Sequence, residues 1–301
     1  MTRLNENDLF DLSPRSFVTL VEHALGTDPL TLCQRAWDLE PKDTLKLSGK
    51  KLASVSVTTG EGPITGFAQS VARSASILGL VSKVMKNSDA LGFREALEWG
   101  ADIIISSDDD DFVAEELKSG FRVHNNPATA RIFVAALEFL SGGSLRGKNV
   151  LVLGLGPVGL FATERLIELG ARTYVFDTDI LKLKSKCLTN AEIIWDLENF
   201  QELLMWERPL IFEAVPKEII FSPSLKRKIF ELSPKVSAPG VPLSWPTEWG
   251  APRCSQYPPR LFHEALLAGT ISMLAAFSGK WNADYGTAFP NTRMEAKREL
   301  A

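Results

Sequence analysis

Apolar residues fall on one helical face soon after the chain begins. Phe17, Leu20, Val21 and Ala24 follow Ser13-Pro14, an N-cap with a first-turn proline, and Gly26 supplies the stop. A second short helix is predicted over 29–39. So small a helical segment cannot bury its own apolar faces, and it must dock on the remainder of the chain as an appendage or a lid. From Leu52 the pattern changes to strands alternating with helices. Val55 and Val57 alternate with Ser54, Ser56 and Thr58, a period of two closed by the turn Gly60-Glu61-Gly62-Pro63. Ile64, Phe67, Val71, Ala75 and Leu78 then recur at helical spacing. A strand over 80–85, a helix from Ser88 stopped by Gly100, and a strong strand over 103–105 complete a βαβαβ layout. That order implies a parallel sheet with right-handed crossovers. A long helix over 128–140 leads through Gly142 and Gly143 into a second unit.

The second unit opens with KNVLVLGLGPVG, residues 148–159. Its apolar run 150–153 is a buried strand. The segment Gly154-Leu155-Gly156-Pro157-Val158-Gly159 then opens a helix that passes Phe161 and Leu166 and ends at Gly170. In this pattern Gly154 permits a tight turn, Gly156 lets the backbone approach a pyrophosphate, and Gly159 lets helix pack on strand. N–H groups at the helix start hold the phosphates. The next strand, 173–176, ends in Asp177, about 20 residues beyond the glycines, where an acid accepts both hydroxyls of the adenosine ribose and repels a 2′-phosphate. This favours NAD over NADP, although Arg172 and Lys182 are near enough to soften the preference. Ile211-Phe212-Glu213-Ala214-Val215-Pro216 has the form of a strand end skirting the cofactor near the nicotinamide ribose. The segment 236–242, with Pro239, has the build of another loop at the strand C-termini. Loop punctuation explains these two segments equally well.

Composition narrows the chemistry. The 301 residues allow about two domains. Lys+Arg 33 against Asp+Glu 37 leaves a net charge of −4, without the cationic excess of a general nucleic-acid binder. No apolar run approaches the roughly 18 residues of a membrane span, and MTRLNENDLF does not read as a secretory signal. Cys33, Cys187 and Cys254 are odd in number and far apart, so a reducing cytoplasm is the expected setting. His23, His124 and His263 are too scattered for a histidine-built metal centre. The chemistry is therefore expected to come from an organic cofactor.

If the first α/β unit faces the second, its strand ends should supply substrate groups. One such end is Thr58-Thr59-Gly60-Glu61-Gly62, a hydroxyl- and glycine-rich loop before a helix, suited to an anionic group such as a carboxylate. Another is Ser106-Ser107-Asp108-Asp109, which offers carboxylates to bind or deprotonate an amine. A third is His124-Asn125-Asn126-Pro127. Against these stand plainer readings, since aspartate runs cap helices and Asn-Asn-Pro makes turns. His124 is open to an acid/base or a structural role. His23 and His263 read as structural.

Beyond these local readings the chain resembles a specific family. VSVTTGEGPITGFAQS (55–70), GADIIISSDDDDF (100–112), HNNPATARIF (124–133), GKNVLVLGLGPVG (147–159), IFEAVP, SAPGVP and GTISML (269–274) recur in that order in the pyrrolysine-forming dehydrogenases, the PylD family. The resemblance runs from about residue 52 to 278. It implies NAD-dependent oxidation of 3-methylornithyl-lysine at its terminal aminomethylene carbon, hydrolysis of the imine to an aldehyde, and closure of the pyrroline ring by a neighbouring amine. Asp108, or Asp109 if the register of the aspartate run shifts by one, would hold and deprotonate the reacting ammonium. Thr59, Gly60, Glu61, Gly62 and Ser107 would hold polar ends of the substrate, and Asn125 and Asn126 would orient its amide or amine. Helices of the N-terminal segment would close over the site, with Leu9 and Phe10 as lid residues.

The expected architecture is α/β: a helical segment over 1–50, a small parallel-sheet substrate domain with its linking helix over 51–143, and a Rossmann NAD-binding domain over 144–301. The expected partner is a small-molecule substrate, with neither nucleic acid nor membrane. A homodimer is suggested only by analogy with two-domain dehydrogenases. Two other functions fit the plan. One is an amino-acid or shikimate-type NAD(P) dehydrogenase, whose usual lysine–aspartate pair has no obvious motif around Lys83 and Lys86. The other is a non-catalytic NAD-binding sensor, which would not need the polar groups on the facing loops.

Overall fold

The computed structural model describes residues 13–59, 63–107, 112–184, 190–195, 210–214, 236–237 and 265–279. Helix α1 (Pro14–Leu25) starts where Ser13 Oγ accepts the Ser16 N–H at 3.0 Å and ends at Gly26, in the left-handed region at φ 65°. Helix α2 (Pro29–Trp37) is capped by Asp28, whose carboxylate accepts the N–H groups of Leu30 and Thr31 at 2.9 and 3.0 Å. Short helix α3 (Pro41–Thr44) and a single 3₁₀ turn (Leu45–Leu47) lead into the first sheet.

That sheet is built from β1 (Lys51–Ser56), β2 (Val81–Val84) and β3 (Ile103–Ser107), joined through α4 (Phe67–Ser74) and α5 (Asp89–Trp99). The three strands are parallel, in agreement with the alternating pattern. An antiparallel pair that the pattern does not announce, β4 (Val113–Glu116) and β5 (Phe121–His124), then extends it. The order is β2-β1-β3-β4-β5. Helix α6 (Asn125–Leu140) comes directly after and begins at Asn125 rather than near 128, since the Asn125 N–H is held by the Phe112 carbonyl at 2.9 Å.

In the second sheet every described strand pair is parallel. Its strands are β6 (Asn149–Leu153), β7 (Arg172–Phe176), β8 (Glu192–Ile193), β9 (Leu210–Glu213) and β10 (Val236–Ser237), in the order β10-β9-β6-β7-β8. Helix α7 (Pro157–Glu168) follows β6 and short helix α8 (Ile180–Leu183) follows β7. This is the doubly wound order of a Rossmann sheet, in which the chain runs outward in both directions from its first strand.

One apolar core runs through both sheets. Leu52, Ile103 and Ile105 of the first sheet share it with Val150, Val152 and Phe212 of the second, through Ile132, Phe133 and Leu137 of α6. The other face of the first sheet has its own cluster of Ala53, Val55, Met85, Ala96 and Ile104, built with α5. Helix α9 (Ala265–Ala276) packs on α6, α2 and α4, so the last described element lies against the first sheet's layer of helices. Trp37 ties these helices together: its indole N–H donates to Ser272 Oγ at 3.0 Å, and Ser272 donates to the Ala128 carbonyl at 2.7 Å. From Phe17 onward the N-terminal helical segment is thus anchored in the core. Among the described residues no helix is long and apolar enough to cross a membrane.

Candidate active site

Neighbouring strands β6 and β9 lie on either side of the point where the strand order reverses, and ligands of open α/β sheets collect beyond the strand ends there. The chain leaves β6 at Gly154, whose φ of 89° suits glycine and whose N–H donates to the Phe176 carbonyl at 2.8 Å. Leu155 buries its side chain and donates its N–H to Asp177 Oδ2 at 2.6 Å. The other oxygen of Asp177 accepts the Asp179 N–H at 2.8 Å, while Lys182 Nζ stands 3.4 Å from Oδ2. Asp177 is only 8% exposed, and these contacts fix its carboxylate at the end of β7 beside the glycine turn. A carboxylate offers about four lone-pair positions, so it keeps acceptor capacity for a hydroxyl.

Gly156 and Gly159 meet opposite surroundings. A Cβ at Gly156 would find nothing within 4 Å, so the turn leaves open space before the α7 N-terminus. A Cβ at Gly159 would sit 1.9 Å from the Gly154 carbonyl oxygen and 3.4 Å from Ala214 Cβ. Pro157 occupies the first helical turn, where its missing N–H costs nothing. Ala214 is held by its N–H to the Leu153 carbonyl at 2.7 Å. The structure therefore gathers Gly154, Leu155, Gly156, Pro157, Val158, Gly159, Asp177 and Ala214 around one turn. The open cradle at Gly156, the first-turn N–H groups of α7 and the buried acid suit a dinucleotide's pyrophosphate and ribose.

In the first sheet, Ser107 ends β3 beside Ser56 of β1. Ser107 is 7% exposed and its hydroxyl has no hydrogen-bond partner among the described residues, and the same holds for the fully buried hydroxyl of Ser54. Asn125 opens α6, 6% exposed, and its Oδ1 accepts the Thr129 hydroxyl at 3.1 Å. Asn126 is half-buried in the same turn. Gly269 of α9 fits against this corner, since a Cβ there would come 2.5 Å from Asn125 Oδ1 and 2.6 Å from Thr129 Oγ1. His124 closes β5 opposite Val113 and serves as the cap residue of α6. Thr59 is exposed at the edge of the loop after β1. Helix α6 is the physical link between the two regions: it starts at Asn125 and packs along α7, whose first turn carries the glycines.

Leu9, Phe10, Gly60, Glu61, Gly62, Asp108, Asp109, Val215, Pro216 and Pro239 lie outside the described residues. Lys83, one of the two lysines considered for a shikimate-type reading, pairs with Glu95 at 3.8 Å and lies over the Trp99 ring, on the side of the sheet covered by α5. Among the described residues no group of three or more His, Cys, Asp or Glu could hold a metal ion. Sequence reasoning missed Asp89, whose carboxylate takes the Thr58 N–H at 2.8 Å and the Thr58 hydroxyl at 2.6 Å. Ser88-Asp89 reads only as a helix start, and no local signal ties it to a loop 31 residues earlier.

Residues 19–123 match the family model of the pyrrolysine biosynthesis protein PylD, N-terminal domain. A pyrrolysine synthase from Methanosarcina barkeri is 32% identical over 277 residues, covering 91% of this chain and 97% of that protein. A pyrrolysine synthase from Methanosarcina acetivorans is 30% identical, covering 75% and 81%. Among solved structures, the shikimate dehydrogenase of Aquifex aeolicus is similar at a TM-score of 0.42 and 13% identity, over 78% of this chain and 95% of that one. With glycine turn, buried acid and both sheets in place, and with these relatives spanning most of its length, the chain belongs to the pyrrolysine synthase family of PylD enzymes.

Proposed function

We propose that this chain oxidises 3-methylornithyl-lysine at its terminal aminomethylene carbon with NAD as the oxidant, and that the product then closes the pyrroline ring of pyrrolysine. The observation that carries the reading is the 32% identity to a pyrrolysine synthase over 91% of the chain. Within it, the buried Asp177 beside the Leu155 N–H favours NAD over its 2′-phosphorylated form.

Gly154, Leu155, Gly156, Pro157, Val158 and Gly159 would hold the pyrophosphate and Asp177 the adenosine ribose. Ala214, with Val215, Pro216 and Pro239, would line the nicotinamide end. NAD bound there supplies a two-electron acceptor that takes a hydride. An alkylammonium has a pKa of about 10.4, so Asp108, or its neighbour Asp109, holds the group and draws off its proton before oxidation. Thr59, Gly60, Glu61, Gly62 and Ser107 hold the polar ends of the substrate, and Asn125 and Asn126 orient its amide or amine. The iminium adds water and releases ammonium to leave an aldehyde. The neighbouring amine condenses with that aldehyde and expels water. Holding both groups in one site supplies most of what ring closure needs.

Purified protein given 3-methylornithyl-lysine and NAD should produce NADH absorbance and a ring-closed product by mass spectrometry. Folded protein that binds NAD yet yields neither overturns the reading. Asp177→Ala should weaken NAD binding and narrow the gap to NADP. Unchanged selectivity would assign the ribose to another residue.

A further inference from the structure

Asp89 is one of two described residues other than glycine with a positive φ, at 53°, a conformation that L side chains rarely adopt. Such strain persists only where the surroundings fix the backbone from several sides, and here they do. The turn before Asp89 is held by Glu95, whose Oε2 accepts the N–H groups of Lys86 and Asn87 at 2.8 and 3.2 Å. Gly92, one turn into α5, presses on the strand: a Cβ there would lie 2.4 Å from the Asn87 carbonyl oxygen and 2.7 Å from Val55 Cγ1. The N-terminus of α5 is thus clamped to β1, and from this fixed base the Asp89 carboxylate reaches the segment that leaves β1. Both oxygens are engaged there, one by the Thr58 N–H at 2.8 Å and one by the Thr58 hydroxyl at 2.6 Å.

We propose that Asp89 is a positioning residue of the substrate site, holding Thr58 so that the next residue, Thr59, presents its polar groups to 3-methylornithyl-lysine. This role rests on the function proposed above. Two donors from one residue onto the two oxygens of one carboxylate fix both the position and the rotation of the Thr58 peptide, which a single bond would leave free to swing. Thr58 itself is not a substrate ligand on this account, because its N–H and hydroxyl both turn toward Asp89. The substrate end of the site then depends on a carboxylate that never touches substrate.

The test is a double-mutant cycle on the full-length protein with Asp89→Ala, Thr58→Val and the pair, read as KM for 3-methylornithyl-lysine, kcat, Kd for NAD and Tm. Each single variant should raise the substrate KM by about tenfold with the NAD Kd unchanged, and the pair should be no worse than either alone. Thr58→Ser, which keeps both donors, should restore the wild-type KM. Asp89→Gly removes the carboxylate but relieves the backbone strain, so it should lose substrate affinity while keeping a higher Tm than Asp89→Ala, which guards against a variant that simply unfolds. A wild-type KM in Asp89→Gly overturns the role of Asp89, and so do additive losses in the pair or equal losses toward NAD and substrate. Wild-type protein that binds NAD but neither binds nor oxidises 3-methylornithyl-lysine overturns instead the functional reading on which that role depends.

Discussion

Gly156 and Gly159 stand three positions apart and forbid a side chain for different reasons. The backbone of Gly156, at φ −68°, suits any residue, and nothing lies within 4 Å of its missing Cβ. Gly156→Ala should therefore fold with an unchanged Tm yet, on the function proposed above, bind the nicotinamide dinucleotide far more weakly, because the methyl group enters the open space before α7. Gly159→Ala puts a carbon 1.9 Å from a backbone oxygen, so helix and strand must part. It should cost about 3 kcal/mol or more, visible as a lower urea midpoint without any ligand. Equal Tm losses in the two variants would refute this division. The glycine spacing was readable in the sequence because each glycine answers to a local constraint, and so was the acid at the end of the next strand. The grip of Asp89 on Thr58 was not, since neither a positive φ nor a contact across 31 residues leaves a mark in composition or period.

At the scale of elements, the strand–helix alternation was legible because each of those elements buries a face of its own. The β4–β5 pair was not. Val113-Ala114-Glu115-Glu116 and Phe121-Arg122-Val123-His124 are four-residue strands of mixed polarity, fixed by pairing with β3 and with each other rather than by their own pattern. The junction of α2, α6 and α9 was equally hidden, since Trp37 and Ser272 are 235 residues apart. Trp37→Phe keeps most of the buried ring but removes its donor. Ser272 still donates to Ala128, so the loss should be about 1 kcal/mol in chemical denaturation, typical of one hydrogen bond. A loss nearer that of a core truncation would mean that the indole packs in a way no phenyl ring can reproduce. Asp38, at the end of α2, makes a second tie by holding Arg165 of α7 through both carboxylate oxygens at 2.8 Å. The N-terminal helices thus touch α7, the helix that follows the glycine turn, directly.

Acid dependence belongs to the whole molecule. Burial pushes the carboxyl of Glu138 above its ordinary value of 4.5, and burial together with the Glu168 charge does the same for Glu164. In both, the folded chain binds a proton more tightly than the unfolded chain. Their contribution is complete below about 4.5 and is lost as pH rises through the raised values. Asp43, Asp89 and Glu95 are lowered by hydrogen bonds from Lys46, from Thr58 and from the Asn87 backbone respectively. They stabilise above their ordinary values and lose that contribution as pH falls through the lowered ones. Stability should therefore peak under mildly acidic conditions, between these two groups, when urea midpoints are compared from about pH 3 to about pH 8. Glu138→Gln should flatten the neutral side of that profile and leave the acid side unchanged; a profile identical to wild type would remove Glu138 from the account.

Helix α9 carries one further consequence. Its residues 266–276 are buried and it is made late, yet it packs on the helices that cover the first sheet, with Gly269 seated against Asn125 and Thr129. A ribosome that has released only the first half of the chain has therefore produced a sheet whose covering helices still lack one of their packing partners. That half must wait, with apolar surface showing, until some 120 further residues have emerged, at a synthesis rate of roughly 5–20 residues per second. Order of manufacture and order of completion run in opposite directions in this protein, and the interval between them is when it is most exposed to aggregation.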